Sequence, residues 1–117
     1  MRILIVDDDS DIRQMVTFLL HIPGVEVVGE AADGNEAIEA VEKLRPDLVV
    51  MDYMMPVLGG AEATRRIKEI HPEVVVVGFT AADDEGIQSL LSAGAVAVID
   101  KTNFASLLGV LDQIGKR

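Results

Sequence analysis

Cysteine is absent from the 117-residue chain, which excludes disulfides, thiolate nucleophiles and cysteine-based metal sites. Tryptophan is also absent and aromatic residues make up only 3% of the chain, although 50% of it is hydrophobic. A core must therefore be assembled from Val, Ile, Leu, Ala and Met. Basic residues are scarce: 10 Lys and Arg stand against 20 Asp and Glu, for a formal net charge of -10. That balance argues against nucleic-acid binding by this domain, because phosphate contacts need a basic surface. It argues equally against an anionic membrane surface. No apolar run approaches membrane-spanning length. Residues 1–6 carry one charge and lead into three aspartates, unlike a signal peptide, so a cytoplasmic protein is expected. No glycine-rich loop of the nucleotide-binding sort is present. The length suits one domain, residues 1–117, and no linker is visible.

The stretch from Leu48 to Pro56, LVVMDYMMP, is the most informative. Leu48, Val49, Val50 and Met51 have no polar face, which fits a central parallel strand covered by helices on both sides. Asp52 follows where the strand ends, and the carboxyl ends of such strands are where open α/β sheets bind ligands. Pro56 closes the element. Taken alone, Asp52 is equally well read as the start of a turn.

The rest of the chain repeats the pattern. Arg2–Val6 reads as a first strand ending in Asp7, Asp8 and Asp9, with Asp9 or Ser10 capping a helix whose apolar positions are Ile12, Met15, Val16, Leu19 and Leu20. Val25, Val27 and Val28 form a less apolar strand, expected at a sheet edge. Asp33 and Glu36 resemble a capping box before a helix with Ala37, Ile38, Val41 and Leu44 inward. Gly59 and Gly60 allow a positive φ or a close approach before a third helix carrying Ala61, Thr64, Ile67, Lys68 and Ile70. Val74–Val77 is a fourth strand, leading to Thr80. Asp83, Asp84 and Glu85 suit the first turn of a helix with Ile87, Leu90 and Leu91 as its core face. Val96–Ile99 is a fifth strand, followed by Asp100 and Lys101. Asn103 caps a last helix with Phe104, Leu107, Leu108, Leu111 and Ile114 inward. Right-handed crossovers then give a parallel sheet with helices on both faces. His21 and His71 fall near helix ends, where they are expected to face solvent.

In such a sheet Asp7, Asp8, Asp52, Thr80 and Lys101 gather at one edge. Clustered carboxylates resist ionisation without a counter-charge. A hard divalent cation such as Mg²⁺ supplies one, and Lys101 another. A carboxylate can accept a phosphoryl group, and a cation, an ammonium and a hydroxyl are the donors that its oxygens would need. Three readings follow: a phosphorylation switch, a small Mg²⁺-dependent phosphohydrolase, or a phosphorylation-independent interaction module. The hydrolase usually needs a second Asp shortly after the first, and position 54 is Met.

The pieces VDDDSDIR (Val6–Arg13), MDYMMP (Met51–Pro56), GGAEATRRI, FTA (Phe79–Ala81) and GAVAVIDK (Gly94–Lys101), in this order and spacing, resemble a bacterial response-regulator receiver domain. The likeness covers essentially the whole chain. It implies a flavodoxin-like (βα)5 three-layer sandwich with strand order 2-1-3-4-5. It implies Asp52 as phosphoacceptor, Asp8 as a direct Mg²⁺ ligand, Asp7 as a ligand through water, and the Met54 backbone carbonyl as a further one, with Mn²⁺ able to replace Mg²⁺. Thr80 and Lys101 match the phosphoryl-stabilising pair, and Ala81 supplies a backbone contact. The implied phosphodonor is a sensor histidine kinase or phosphotransfer protein, and the implied chemistry is self-phosphorylation and slow autodephosphorylation, not catalysis on other substrates. Val98 stands where receivers usually carry a Phe or Tyr that swings inward with the Thr80 movement. Ala97 replaces a common Gly and Thr102 a common Pro. The middle of the chain is most similar to receivers joined to a helix-turn-helix DNA-binding domain in transcription regulators. Homodimerisation through the last helices is a habit of the family.

Overall fold

The computed structural model describes residues 1–116. Five strands and five helices alternate: β1 (Arg2–Val6), α1 (Ser10–Leu19), β2 (Glu26–Ala31), α2 (Gly34–Leu44), β3 (Leu48–Met51), α3 (Gly60–Ile70), β4 (Val75–Thr80), α4 (Asp84–Ala93), β5 (Ala97–Asp100) and α5 (Phe104–Gly115). The strands form one sheet in the order β2-β1-β3-β4-β5, and every pairing is parallel. β2 is an edge strand, as its Glu26 and Glu30 require.

The wholly apolar strands serve two cores because side chains alternate between sheet faces. Ile3, Ile5, Leu48, Val50, Val77 and Phe79 pack with Val16 of α1, Leu20 at its C-cap, and Leu107 and Leu111 of α5. Leu4, Val6, Val49, Met51 and Val76 pack with Ala37 and Val41 of α2, Ala63 and Ile67 of α3, and Leu90 of α4. Three layers result. Phe79 and Phe104 meet edge to face at 6.5 Å and 77°, joining β4 to α5.

The helix signals hold in detail. Asp9 caps α1 by accepting the Asp11 N–H, Asp33 caps α2 through the Glu36 N–H, Asp83 caps α4 through the Gly86 N–H, and Asn103 caps α5 through the Ser106 N–H. Glu36 returns a bond to the Ala32 N–H, one residue earlier than a standard capping box.

Several local expectations are corrected. β4 spans Val75–Thr80, beyond the expected Val74–Val77, and Asp83 is the N-cap of α4 and not a residue of its first turn. β2 runs from Glu26 to Ala31, three residues past the Val25, Val27 and Val28 that marked it. Met15, Leu19, Ile70 and Leu91 are exposed, because these short helices each rest on a narrower stripe than their apolar spacing suggests. His71 is buried. Its Nε2 lies 2.6 Å from Glu42 Oε2 and its Nδ1 3.3 Å from Arg45 Nη1, in a cluster joining the C-terminal ends of α2 and α3. In the loop after β3 the positive φ falls on Val57, at 68°, and not on Gly59 or Gly60. Gly60 instead serves close approach: a Cβ there would sit 1.8 Å from the Asp52 carbonyl oxygen.

Candidate functional site

Strand alternation continues past the strand ends and decides what meets there. Asp7, Asp52 and Lys101 share the parity of Ile5, Val50 and Ile99, all on the α1/α5 side. Main-chain bonds keep the three residues in register: the Asp7 N–H donates to Ala31 O, the Asp52 N–H to Val6 O, and the Lys101 N–H to Thr80 O. The chain thus brings two carboxylates and an ammonium together from three strands.

The geometry is tight. Lys101 Nζ lies 2.7 Å from Asp7 Oδ2 and donates to Asp52 Oδ2 at 3.1 Å. The Thr80 hydroxyl donates to Asp52 Oδ1 at 2.6 Å, and the Tyr53 N–H donates to the same oxygen at 2.8 Å. Asp7 is 2% exposed and Asp52 4% exposed, while Asp8 is open to solvent. Carboxylate oxygens of Asp7, Asp8 and Asp52 all lie within 4.8 Å of one another.

Charge and burial compete here. Burial pushes the Asp7 carboxyl above the ordinary carboxylate value, and the Asp52 charge adds to the rise; hydrogen bonds from Lys101 and the Asp9 amide only partly offset this. Burial works against the Lys101 ammonium too, but its bonds to Asp7 and Asp52 outweigh that and hold it above its usual value. Three carboxylates against one lysine leave negative charge uncompensated. The residues fit a hard divalent cation: the donors are oxygens, and the exposed Asp8 leaves room for the waters that Mg²⁺ retains.

The remaining sequence candidates take up distinct places. Met54 lies two residues beyond Asp52 with an exposed side chain, and Ala81, just past the buried Thr80, is exposed. Val98 is half-buried in β5, pairs with Gly78, and covers the space a Gly78 side chain would fill. The Tyr53 ring lies against Gly86 at the start of α4. A residue given no role from the sequence also reaches the site. Arg13 Nη1 donates to the Asp7 carbonyl at 2.6 Å, and Arg13 Nε donates to Glu30 at 2.9 Å. Only tertiary structure joins α1 to β2 in this way.

Comparison with known proteins agrees with this geometry. Residues 3–111 match the family model for the response regulator receiver domain. A protein-glutamate methylesterase/protein-glutamine glutaminase of Geobacter metallireducens is 46% identical over 104 residues, covering 86% of this chain and 30% of the relative. The response regulator GacA of Pseudomonas viridiflava is 40% identical over 102 residues, 86% of this chain and 48% of its own length. The chain therefore spans about a third to half of the curated relatives it matches. Among solved structures, a LuxR-family two-component response regulator from an Aurantimonas species superposes with a TM-score of 0.89 at 34% identity, over 97% of this chain and 83% of that one. The response regulator domain of Thermotoga maritima CheB does so with a TM-score of 0.86 at 32% identity, over 99% and 94%. With a buried aspartate at the tip of the central strand, a lysine and a threonine on its two oxygens and this sheet order beneath it, the chain belongs to the response regulator receiver domain family.

Proposed function

We propose that the chain works as the phosphoacceptor of a two-component signalling system, with Asp52 as the residue that takes the phosphoryl group. The observation that carries this assignment is the holding of both Asp52 oxygens. Thr80 and Tyr53 donate to one and Lys101 to the other, beside a carboxylate cluster suited to a divalent cation. A nucleophile fixed in this way is oriented before its donor arrives.

The donor is a phosphohistidine on a sensor kinase or phosphotransfer protein. An Asp52 oxygen attacks phosphorus, the P–N bond breaks, and its electron pair returns to the imidazole, which takes up a proton. Charge on the three phosphoryl oxygens must be met at once. Lys101 and the Thr80 hydroxyl, which now bind the carboxylate itself, turn to those oxygens. Asp8, Asp52 and the Met54 carbonyl would hold Mg²⁺ (or Mn²⁺), with Asp7 acting through water, and the cation would supply neutralisation of phosphoryl charge. The Ala81 backbone adds a contact at the same place.

Movement of Thr80 toward a phosphoryl group carries the signal to the face formed by α4, β5 and α5. Val98 has no ring to rotate, so repacking of its half-buried methyl groups against Gly78 replaces an aromatic swing. Activity is confined to the chain's own phosphorylation and its slow reversal. Homodimerisation, a C-terminal DNA-binding or other output domain, and a cytoplasmic setting complete the reading. No described helix is long and apolar enough to cross a membrane. Neither hydrolase chemistry nor a silent interaction module is favoured by the family match.

Incubation with acetyl phosphate and Mg²⁺ tests this. The intact mass gains one phosphoryl group in the wild type and none in Asp52→Asn or after chelation of Mg²⁺. A wild-type mass that stays unchanged, or rapid turnover of unrelated phosphomonoesters, would overturn the proposal.

A further inference from the structure

The carboxylate of Asp8 is the exposed member of the acidic cluster, and among the described residues no hydrogen bond or ion pair reaches it. No partner fixes the side chain, so the position from which it reaches the cluster depends on the backbone that carries it. The peptide between Asp7 and Asp8 is planar and turns as a unit. A change in ψ of Asp7 that φ of Asp8 does not cancel turns this plane and alters the angle between the two side chains on either side of it.

One end of this peptide is anchored. Arg13 Nη1 donates to the Asp7 carbonyl at 2.6 Å, and Arg13 Nε is held by Glu30 Oε1 of β2 at 2.9 Å. The Arg13 side chain is 17% exposed, which limits its alternatives. The Asp7 N–H is tied to Ala31 O at 3.1 Å and its carboxylate to the Asp9 N–H and Lys101. Asp7 is therefore fixed at every polar atom, and Arg13 is the sole side-chain anchor on its carbonyl among the described residues. Glu30 also balances the guanidinium charge, so the anchor does not place an unpaired cation beside a cation site.

We propose that Arg13 is a positioning residue for the cation site: by holding the Asp7 carbonyl it sets the Asp7–Asp8 peptide plane and so aims Asp8. The proposal rests on the reading of these aspartates as the Mg²⁺ site. The plain alternative is a clasp between α1 and β2 that serves stability only.

Titration with Mg²⁺, followed through the amide resonances of Asp8 and Tyr53, separates the two. Arg13→Met keeps the aliphatic bulk and removes the anchor; it raises the Mg²⁺ half-saturation by about tenfold, the usual effect of losing an outer-shell partner. Labelling by acetyl phosphate at saturating Mg²⁺ stays within about twofold of wild type, because the reacting groups are untouched. Arg13→Lys restores part of the affinity, and Glu30→Gln weakens it by about threefold. If Arg13→Met does not fold, Arg13→Lys and Glu30→Gln carry the test. A lowered unfolding midpoint with an unshifted Mg²⁺ constant in the folded variants overturns the proposal. Wild-type protein that neither responds to Mg²⁺ nor takes up a phosphoryl group sinks the underlying reading, and the proposal with it.

Discussion

Removing the charge of Lys101 exposes the electrostatic balance of the site. Lys101 bridges Asp7 at 2.7 Å and Asp52 at 3.1 Å, and in Lys101→Met the two carboxylates, 2% and 4% exposed, face each other unpaired. Breaking a buried ion pair by deleting one partner costs about 3–5 kcal/mol. The Lys101 side chain is 21% exposed, so solvent already screens part of the pair and a loss of about 2–3 kcal/mol is expected. Uptake of a proton by Asp7, whose carboxyl burial already pushes upward, relieves part of the strain; the deficit is therefore larger at pH 8 than at pH 5. A divalent cation does what the ammonium did, so Mg²⁺ recovers most of the loss and stabilises the variant more than the wild type. Urea unfolding with and without Mg²⁺ measures all three effects, with an unchanged m-value if compactness is preserved. A variant as stable as wild type without Mg²⁺, or a deficit that Mg²⁺ leaves untouched, would refute the account of charge at this site.

The same pair predicts alkaline instability of the wild type. The Lys101 ammonium is held above its ordinary value of 10.5, so its contribution is complete below that pH and is lost as pH rises through the folded value; Lys101→Met lacks this loss in a pH series of unfolding curves. Gly60→Ala forces a Cβ against the Asp52 carbonyl oxygen, and a loss of about 3 kcal/mol together with slower Asp52 labelling is expected from calorimetry and mass spectrometry. Val57 is 79% exposed and holds a φ of 68°. Val57→Gly therefore stabilises by about 1 kcal/mol, since relief of left-handed strain exceeds the added chain entropy; a destabilised variant in urea unfolding would count against strain in this loop.

Much of this architecture is legible in the residues because the decisive patterns are local. LVVM and VVVV have no polar face, so a doubly covered sheet is the expectation, and aspartates at the ends of the first and third strands mark the edge where the acidic cluster forms. Capping residues Asp33 and Asn103 announced their helices within three or four positions. What escaped depends on distant partners. His71 is buried because Glu42 and Arg45 reach it from 29 and 26 residues away. The match of Arg13 with Glu30 spans 17 residues and two elements. Helical spacing put Met15 and Leu19 inward, yet α1 needs only Ile12, Val16 and Leu20 to seat on the sheet. The unlike settings of Asp7 and Asp8 follow from strand parity, which places Asp7 with Lys101 and leaves Asp8 in solvent.

The central claim is that one carboxylate, Asp52, accepts the phosphoryl group. The most direct measurement is borohydride reduction of the acetyl phosphate-treated protein, followed by peptide mapping, since reduction converts an aspartyl phosphate to homoserine. Homoserine at position 52 alone, dependent on Mg²⁺, is the result predicted here. Homoserine at Asp7, Asp8 or any other aspartate with position 52 unmodified would contradict it.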